Sequence, residues 1–322
     1  MGNVVVAVLG APGYGGELGK KVTSTDITLY DAKKDEDCVT FVEPTRYPER
    51  LAPLFYAVSM AKKAVVVVDE LNSLFGECIL MLDCSGIEEG YIVVRNYLER
   101  EKVDLLIKGT VLEKYDFVED DPVKLRERLL YEASQQRIVP PSEDHPSGTV
   151  PVDHSFNVKG VGPVILGVVM SGAVRKHEEV RVLPGGKKAQ IRSIQKHDDD
   201  FDWASEGDRV GLALKNIEVD EVDRGTVLTA DQAIISTMAL KARASLVRYW
   251  PAPIKVGMVL HVGHWMQFIA GKVEAVDYQE DWRYPVLSLD FEKELVYLPG
   301  HRAVVTYLDG GKLRVAGSLE LS

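Results

Sequence analysis

The sequence predicts a mixed architecture, α/β plus all-β. A doubly wound α/β domain over residues 1–140 is followed by a small closed β-barrel over 149–231 and a further all-β unit over 232–322. Three observations carry this reading. Up to about residue 140, short apolar runs alternate with segments of helical periodicity, the pattern of strands joined by crossover helices. Pro140-Pro141-Ser142-Glu143-Asp144-His145-Pro146-Ser147-Gly148 is then a stiff, polar joint between domains. From Val150 onward, β-branched runs are cut again and again by turn chemistry: Gly160 and Gly162, Ser171-Gly172, Pro184-Gly185-Gly186, Glu206-Gly207-Asp208 and Arg224-Gly225. Short runs at that spacing specify a barrel rather than an α/β unit.

Taken in order, the run from Asn3 to Leu9 is continuously apolar and ends in Gly10, which suits a parallel strand buried on both faces. Further strands are expected over Asp26 to Tyr30, Cys38 to Glu43, Ala64 to Asp69, Gly90 to Arg95 and Asp104 to Lys108. Pro48 to Lys63 carries Leu51, Leu54, Phe55 and Val58 at helical spacing, with Pro48 near the first turn. Ser73 to Asp83 is a second helix, and Asp121-Pro122 opens a third bearing Val123, Leu129 and Leu130. In the barrel, Pro184-Gly185-Gly186 fits a tight hairpin, because glycine takes positive φ without steric cost. From Ala233 the chain again alternates apolar and polar residues, with turns at Pro251-Ala252-Pro253, at 277–284 and at Asp309-Gly310-Gly311.

Composition narrows the function classes. With 322 residues, 46% hydrophobic and 27% charged, the chain is an ordinary globular protein long enough for two or three cores. No apolar run reaches the roughly 18 residues a membrane helix needs, and the N-terminus lacks the basic start of a signal peptide. No membrane partner and a cytoplasmic location are therefore expected. Cys38, Cys78 and Cys84 are odd in number and lack CxxC spacing, so they are read as reduced, buried thiols with no metal site. The net charge of −11 disfavours indiscriminate nucleic-acid binding, and no DNA partner is expected. Arg175, Lys176, Lys187, Lys188, Arg192 and Lys196 cluster beside the acidic run Asp198-Asp199-Asp200-Phe201-Asp202. They read either as a solvated rim of hairpins or as a contact for RNA phosphates.

The barrel segment also carries a family resemblance. It lies in Val152-Asp153-His154-Ser155-Phe156, Lys159-Gly160-Val161-Gly162, Val164 to Gly167, Val182-Leu183-Pro184, Ile191-Arg192-Ser193-Ile194-Gln195, Gly207-Asp208-Arg209-Val210-Gly211 and Arg224-Gly225. In that order, these residues resemble the second domain of translational GTPases, the elongation factor Tu group, and most of all the archaeal and eukaryotic type of SelB. The resemblance implies that residues 1–140 stand where a G domain stands, as a degenerate P-loop GTPase-like domain. It also implies that 232–322 form a second small β-barrel. An unrelated α/β domain with a glycine-rich loop is the alternative for the first half.

Measured against GTPase chemistry, the first half lacks its ligands. A phosphate loop should read GxxxxGK[ST], so that backbone N–H groups cradle phosphate, lysine meets its oxygens and the hydroxyl holds Mg²⁺. The candidates here are Gly10, Gly13, Gly15, Gly16, Gly19 and Lys20. If Gly19-Lys20 is the motif pair, Tyr14 replaces the first glycine and Lys21 the hydroxyl. If Gly10 and Gly15 are the motif glycines, Gly16 replaces the lysine. The DxxG-His segment aligns with Glu43-Pro44-Thr45-Arg46-Tyr47, and the guanine-reading NKxD with Asn96-Tyr97-Leu98-Glu99. Only 33 residues separate Gly10 from Glu43, too few for a full switch region. No bound cofactor is expected, GTP with Mg²⁺ included.

In the family, the start of the second domain helps receive the aminoacyl end of tRNA. The resemblance places Asp153, His154 and Phe156 there, with Lys159 and Leu166 nearby and Arg192 as a further RNA contact. His261 and His264, separated by Val262 and Gly263, are read as strand-edge hydrogen bonders rather than metal ligands. Trp250, Trp265, Trp282 and Tyr284 read as either stacking platforms or core. No counterpart of the additional C-terminal domain of SelB is expected after Ser322. The resulting expectation is a translation-factor-like protein that binds tRNA or the ribosome without conventional GTP hydrolysis. Two rivals remain: a GTPase with an altered site, retaining Gly19, Lys20 and Asp69, and a scaffold that has lost RNA binding and holds a protein partner.

Overall fold

The computed structural model describes residues 2–136, 147–311 and 313–322. Of the joint expected at Pro140–Gly148, the part up to Pro146 lies outside the described residues.

Strand β1 (Asn3–Leu9) is buried at every position, as a continuous apolar run between two helical layers must be. The chain continues through a glycine-rich loop into the single-turn helix α1 (Gly15–Leu18) and a hairpin of β2 (Lys20–Ser24) and β3 (Ile27–Lys34). Next come β4 (Asp37–Pro44), α2 (Ala52–Ser59), β5 (Lys63–Val68), α3 (Ser73–Ser85), β6 (Gly90–Val94), α4 (Arg100–Ile107), β7 (Asp116–Val118) and α5 (Pro122–Ser134). The sheet order is β2-β3-β4-β1-β5-β6-β7. β1 runs parallel to β4 and β5, whereas β2 and β3 form an antiparallel edge. Capping explains where two helices begin. The Asn72 side chain accepts from the N–H groups of Leu74 and Phe75 at the start of α3, and Asp121 from that of Lys124 at the start of α5.

One expected strand is corrected. Asp104 to Ile107 belongs to helix α4, with Lys108 just past its end; Val103 and Ile107 are buried four residues apart while Leu105 and Leu106 face outward. The last strand is β7 instead. The edge strand β2 escaped the sequence reading because it is polar and carries no burial pattern.

The middle barrel is built from β8 (Thr149–Val158), β9 (Gly162–Val168), β10 (Ala173–Arg175), β11 (Glu179–Leu183), β12 (Lys187–Lys196), β13 (Asp199–Phe201), β14 (Trp203–Ser205), β15 (Arg209–Lys215) and β16 (Val227–Thr229). Six of these form the ring β11-β16-β8-β9-β15-β12, which the β11–β12 pairing closes. The β11–β12 hairpin turns at Pro184-Gly185-Gly186, as expected, with φ of 98° and 70° at the two glycines. The last barrel is closed by β17 (Ile235–Leu246), β20 (Val286–Tyr297), β19 (Gln267–Asp277), β18 (Val259–His264), β21 (Arg302–Thr306) and β22 (Val315–Glu320), in that spatial order. No helix is long and apolar enough to cross a membrane.

Trp250 and Trp265 are core residues, Trp282 is half-buried under Arg283, and Tyr284 is exposed. His261 stacks on Phe268, and His264 packs against Trp265 with its Nε2 unpartnered. Both rings contribute aromatic packing, and His264 in addition has a hydrogen bond with the backbone of Arg302. The α/β domain and the last barrel share one continuous core. Its seam is the buried Phe55 of α2 lying on Gly263, where a Cβ would come within 2.6 Å of the ring.

Burial, reinforced by the neighbouring His301, pushes the His264 imidazole down to about 3. The unfolded chain therefore takes up a proton that the folded chain refuses, and stability contributed by neutral His264 is lost as pH falls from about 6.5 toward 3. At ~1.4 kcal/mol per unit of difference, stability should fall by roughly 2 kcal/mol between pH 6.5 and 5. Denaturant unfolding at several pH values should show a flatter slope in this window for His264→Phe than for the wild type.

Candidate functional site

The loop after β1 adopts one of the two registers open to the sequence. Gly10 follows β1 directly and Gly15 opens α1, so Gly16 stands where the lysine would be. Helix α1 ends at Leu18, and Lys20 begins β2 with its side chain exposed, paired in register with Asp31. Gly10 and Gly13 are thus loop residues, Gly15 and Gly16 open the short helix, Gly19 caps it, and Lys20 is outside the loop.

The loop is filled from within. The Glu43 carboxylate, at the end of β4 and buried, accepts from Gly13 N–H at 2.5 Å and from Gly15 N–H at 3.0 Å. Its two oxygens stand where phosphate oxygens would be cradled, the usual use of such N–H groups. Tyr30 of β3 covers the same place: a Cβ on Gly15 would meet its ring at 2.7 Å and Glu43 Oε2 at 2.9 Å. An aspartate at position 43 would be one methylene shorter, so the glutamate supplies the reach. With these N–H groups taken and neither lysine nor hydroxyl in place, the residues present do not fit a nucleotide phosphate with Mg²⁺. At the guanine-reading position, Asn96 donates to the Asp69 carbonyl at 3.2 Å, Tyr97 is fully exposed, and Glu99 pairs with Lys102 at 3.2 Å.

The elements that flank this loop are bound to the barrels. Arg314 of the last barrel forks onto Glu77 of α3 at 2.9 and 2.5 Å and donates to the Pro48 carbonyl at 3.2 Å. Arg224 of the middle barrel pairs with Asp26 at 2.7 Å and lies over the Tyr56 ring of α2. Asn3 of β1 donates to Asp208, whose other oxygen pairs with the buried Lys196 at 3.0 Å.

The residues expected to form an RNA-binding pocket divide into two groups. Asp153 is buried, with its carboxylate on Arg209 through two hydrogen bonds and on His154 Nδ1 at 2.5 Å. Burial alone would raise this carboxyl, but the Arg209 guanidinium and the His154 bond outweigh it and hold it well below the usual carboxylate range. His154 reaches across the domain boundary, its Nε2 3.2 Å from Thr25 Oγ1. Asp153 therefore has no surface to offer an amino group. Phe156, Lys159 and Arg192 instead stay exposed around the β8–β9 hairpin, with Arg192 donating to the Val161 carbonyl at 3.0 Å. Leu166 lies opposite His154 in the β8–β9 register. Of the basic cluster, Lys187 pairs with Glu221, Lys188 with Glu179 at 2.6 Å, and Lys196 is the buried partner of Asp208. Lys187 and Lys188 belong to a solvated, internally paired rim, whereas Lys196 is an interior group.

One grouping had no sequence signal. Asp31, Cys38 and His197 bring a carboxylate, a thiol and an imidazole within 4.8 Å of one another, and they are the only such metal-ligating set among the described residues. His197 is 159 positions from Cys38, so only the docking of barrel on sheet brings them together.

Comparison with known proteins places this arrangement. Residues 162–229 match the family model for elongation factor Tu domain 2. An uncharacterized protein of Methanocaldococcus jannaschii is 37% identical over 309 residues, spanning 95% of this chain and 94% of the relative. The selenocysteine-specific elongation factor of Desulfomicrobium baculatum is 28% identical over 224 residues. The chain belongs to the SelB-like elongation factor paralogues. The fold agrees: elongation factor SelB of Methanococcus maripaludis superposes with a TM-score of 0.81 at 20% identity, over 99% of this chain and 79% of that one. The match to the D. baculatum factor covers 66% of this SelB-like chain but only 35% of that factor's length.

The buried ion pair and the exposed hairpin should respond differently to mutation. Arg209→Met leaves Asp153 buried beside an incomplete set of partners and is expected to cost about 3–5 kcal/mol. Phe156→Ala, at a 42% exposed position, is expected to change stability by less than ~0.5 kcal/mol. Urea unfolding of the two variants checks this.

Proposed function

We propose that this SelB-like chain is a translation factor that binds tRNA or the ribosome through its two barrels without hydrolysing GTP. The observation that carries the proposal is the Glu43 carboxylate on the loop N–H groups of Gly13 and Gly15. A nucleotide would have to displace that carboxylate and then do without the lysine and hydroxyl ligands. The ties from the barrels to α2, α3 and Asp26 support the same reading, because the elements flanking the loop are held by buried packing and ion pairs. Within it, the chain works in the cytoplasm, and its domains are those over 1–140, 149–231 and 232–322.

The RNA surface is the β8–β9 hairpin and its neighbour β12. Phe156 offers an exposed ring for stacking on a base or on the terminal adenosine, while Lys159 and Arg192 offer charge to phosphates. Asp153 and His154 act here as the anchor that holds the hairpin against the α/β domain. Recognition of the esterified amino acid therefore falls on Phe156 rather than on a carboxylate. Such a small surface gives low affinity for free tRNA, and useful binding comes when the ribosome adds further contacts.

Two measurements test this. Calorimetric titration with Mg²⁺ and GTP is expected to show no binding in the micromolar range, since two lost charge-assisted hydrogen bonds at about 1.5–3 kcal/mol each weaken affinity by roughly 10²- to 10⁴-fold. Micromolar, Mg²⁺-dependent binding would instead favour a GTPase with an altered site. Binding of charged and uncharged tRNA, alone and with ribosomes, is then compared for wild type, Phe156→Ala and Arg192→Ala. Both variants are expected to weaken binding by about tenfold or less, Arg192→Ala alike for every RNA sequence. Failure of all RNA to bind would leave a protein-holding scaffold as the better reading.

A further inference from the structure

We infer a divalent-metal site at the seam between the α/β domain and the middle barrel, with Asp31, Cys38 and His197 as its ligands and Zn²⁺ as the ion their chemistry matches. Thiolate, imidazole and carboxylate are the donors that Zn²⁺ takes, and a mixed set of this kind suits a borderline-soft ion better than Mg²⁺ or Ca²⁺.

Two of the three donor pairs have the spacing of a shared focus, and all three donors lie within 4.8 Å of one another. Cys38 Sγ lies 3.6 Å from His197 Nδ1, and the same Nδ1 lies 3.1 Å from Asp31 Oδ2. With Zn–S near 2.3 Å and Zn–N or Zn–O near 2.0–2.1 Å, tetrahedral donors sit about 3.6 Å apart for sulfur and nitrogen and about 3.3 Å apart for nitrogen and oxygen. One proton on the His197 ring nitrogen cannot bond both neighbours at once. A single ring nitrogen is either protonated, and turned to the carboxylate, or a lone pair, and turned to the thiol. A cation between the three atoms serves all of them at once.

The surroundings prepare the ligands. Asp31 and Cys38 lie on adjacent strands, since Asp31 stands opposite Thr40 and Lys33 opposite Cys38 in the β3–β4 register. Thr40 Oγ1 donates to Asp31 Oδ1 at 2.8 Å, which orients the carboxylate and leaves Oδ2 for the ion. His197 comes from the turn between β12 and β13, where Lys33 Nζ donates to its carbonyl at 3.1 Å. Arg209, whose positive charge reaches Asp31, is neutralised by Asp153. The carboxylate and a thiolate balance the two charges of the ion, and binding releases the thiol proton. Three protein donors leave a fourth position for water. With Cys38 and His197 buried, the ion acts as a clip between two domains rather than as an open catalytic centre.

The test uses the full chain, stripped with a chelator and titrated with Co²⁺ and then Zn²⁺ alone. The expected result is about one Co²⁺ per chain with a thiolate-to-cobalt charge-transfer band, displacement by Zn²⁺, and a higher unfolding midpoint with Zn²⁺. Cys38→Ser should lose the band, and Cys78→Ser, in the core of the α/β domain, should keep it. His197→Asn, whose new side chain tolerates the left-handed backbone at this position (φ 52°), should weaken binding by at least about tenfold while staying folded by circular dichroism. Absence of the band in the folded wild type, a band that survives Cys38→Ser, or unchanged affinity in His197→Asn would each overturn the assignment. If Cys38→Ser does not fold, the wild type and His197→Asn decide it.

Discussion

A carboxylate with no exposed surface must find its partners inside the fold, and the arrangement of this protein depends on where Asp153 finds them. Arg209 and His154 take its oxygens, Arg224 donates to its backbone carbonyl at 3.1 Å, and Arg224 and His154 in turn reach Asp26 and Thr25 of the first domain. Losing Arg209 would leave a buried charge uncompensated. Through it the middle barrel has one orientation on the α/β domain, and the β8–β9 hairpin projects Phe156 and Lys159 into solvent. The barrel's surface chemistry is thus positioned by an interaction it does not itself display.

A second carboxylate does comparable work inside the α/β domain. Glu43 gives the glycine-rich loop an internal anion, and Tyr30 closes over it. Loops of this kind need negative charge near their N–H groups, because those groups are otherwise unpaired. Supplying it covalently, from the adjacent strand, makes the loop independent of a ligand. Together with Phe55 on Gly263 and Arg314 on Glu77, this leaves the elements around the loop packed and paired on both sides.

Much of this was legible in the sequence. The α/β alternation, the first barrel segment and the Pro184-Gly185-Gly186 hairpin follow from periodicity and turn chemistry, which are local properties, while the second barrel was implied by the family resemblance. The missing lysine and hydroxyl of the loop follow from reading residue types against the chemistry of phosphate binding. Where local pattern was ambiguous it misled: Asp104 to Lys108 reads as a strand, yet burial of Val103 and Ile107 on one helical face decides otherwise.

What the sequence determined by itself, then, is the broad order of elements and which residue types stand in the glycine-rich loop. Only the tertiary structure decided which polar groups meet. Glu43 and the loop glycines are about 30 residues apart, Asp26 and Arg224 are 198 apart, and Cys38 and His197 are 159 apart. No periodicity records such pairs: the first is made by neighbouring strands of one sheet and the other two by packing one domain on another, and the energy that makes them specific appears only when water has been excluded. For that reason Asp153 and His154 looked in the sequence like a surface that receives a ligand, and became in the fold the bond that holds two domains together.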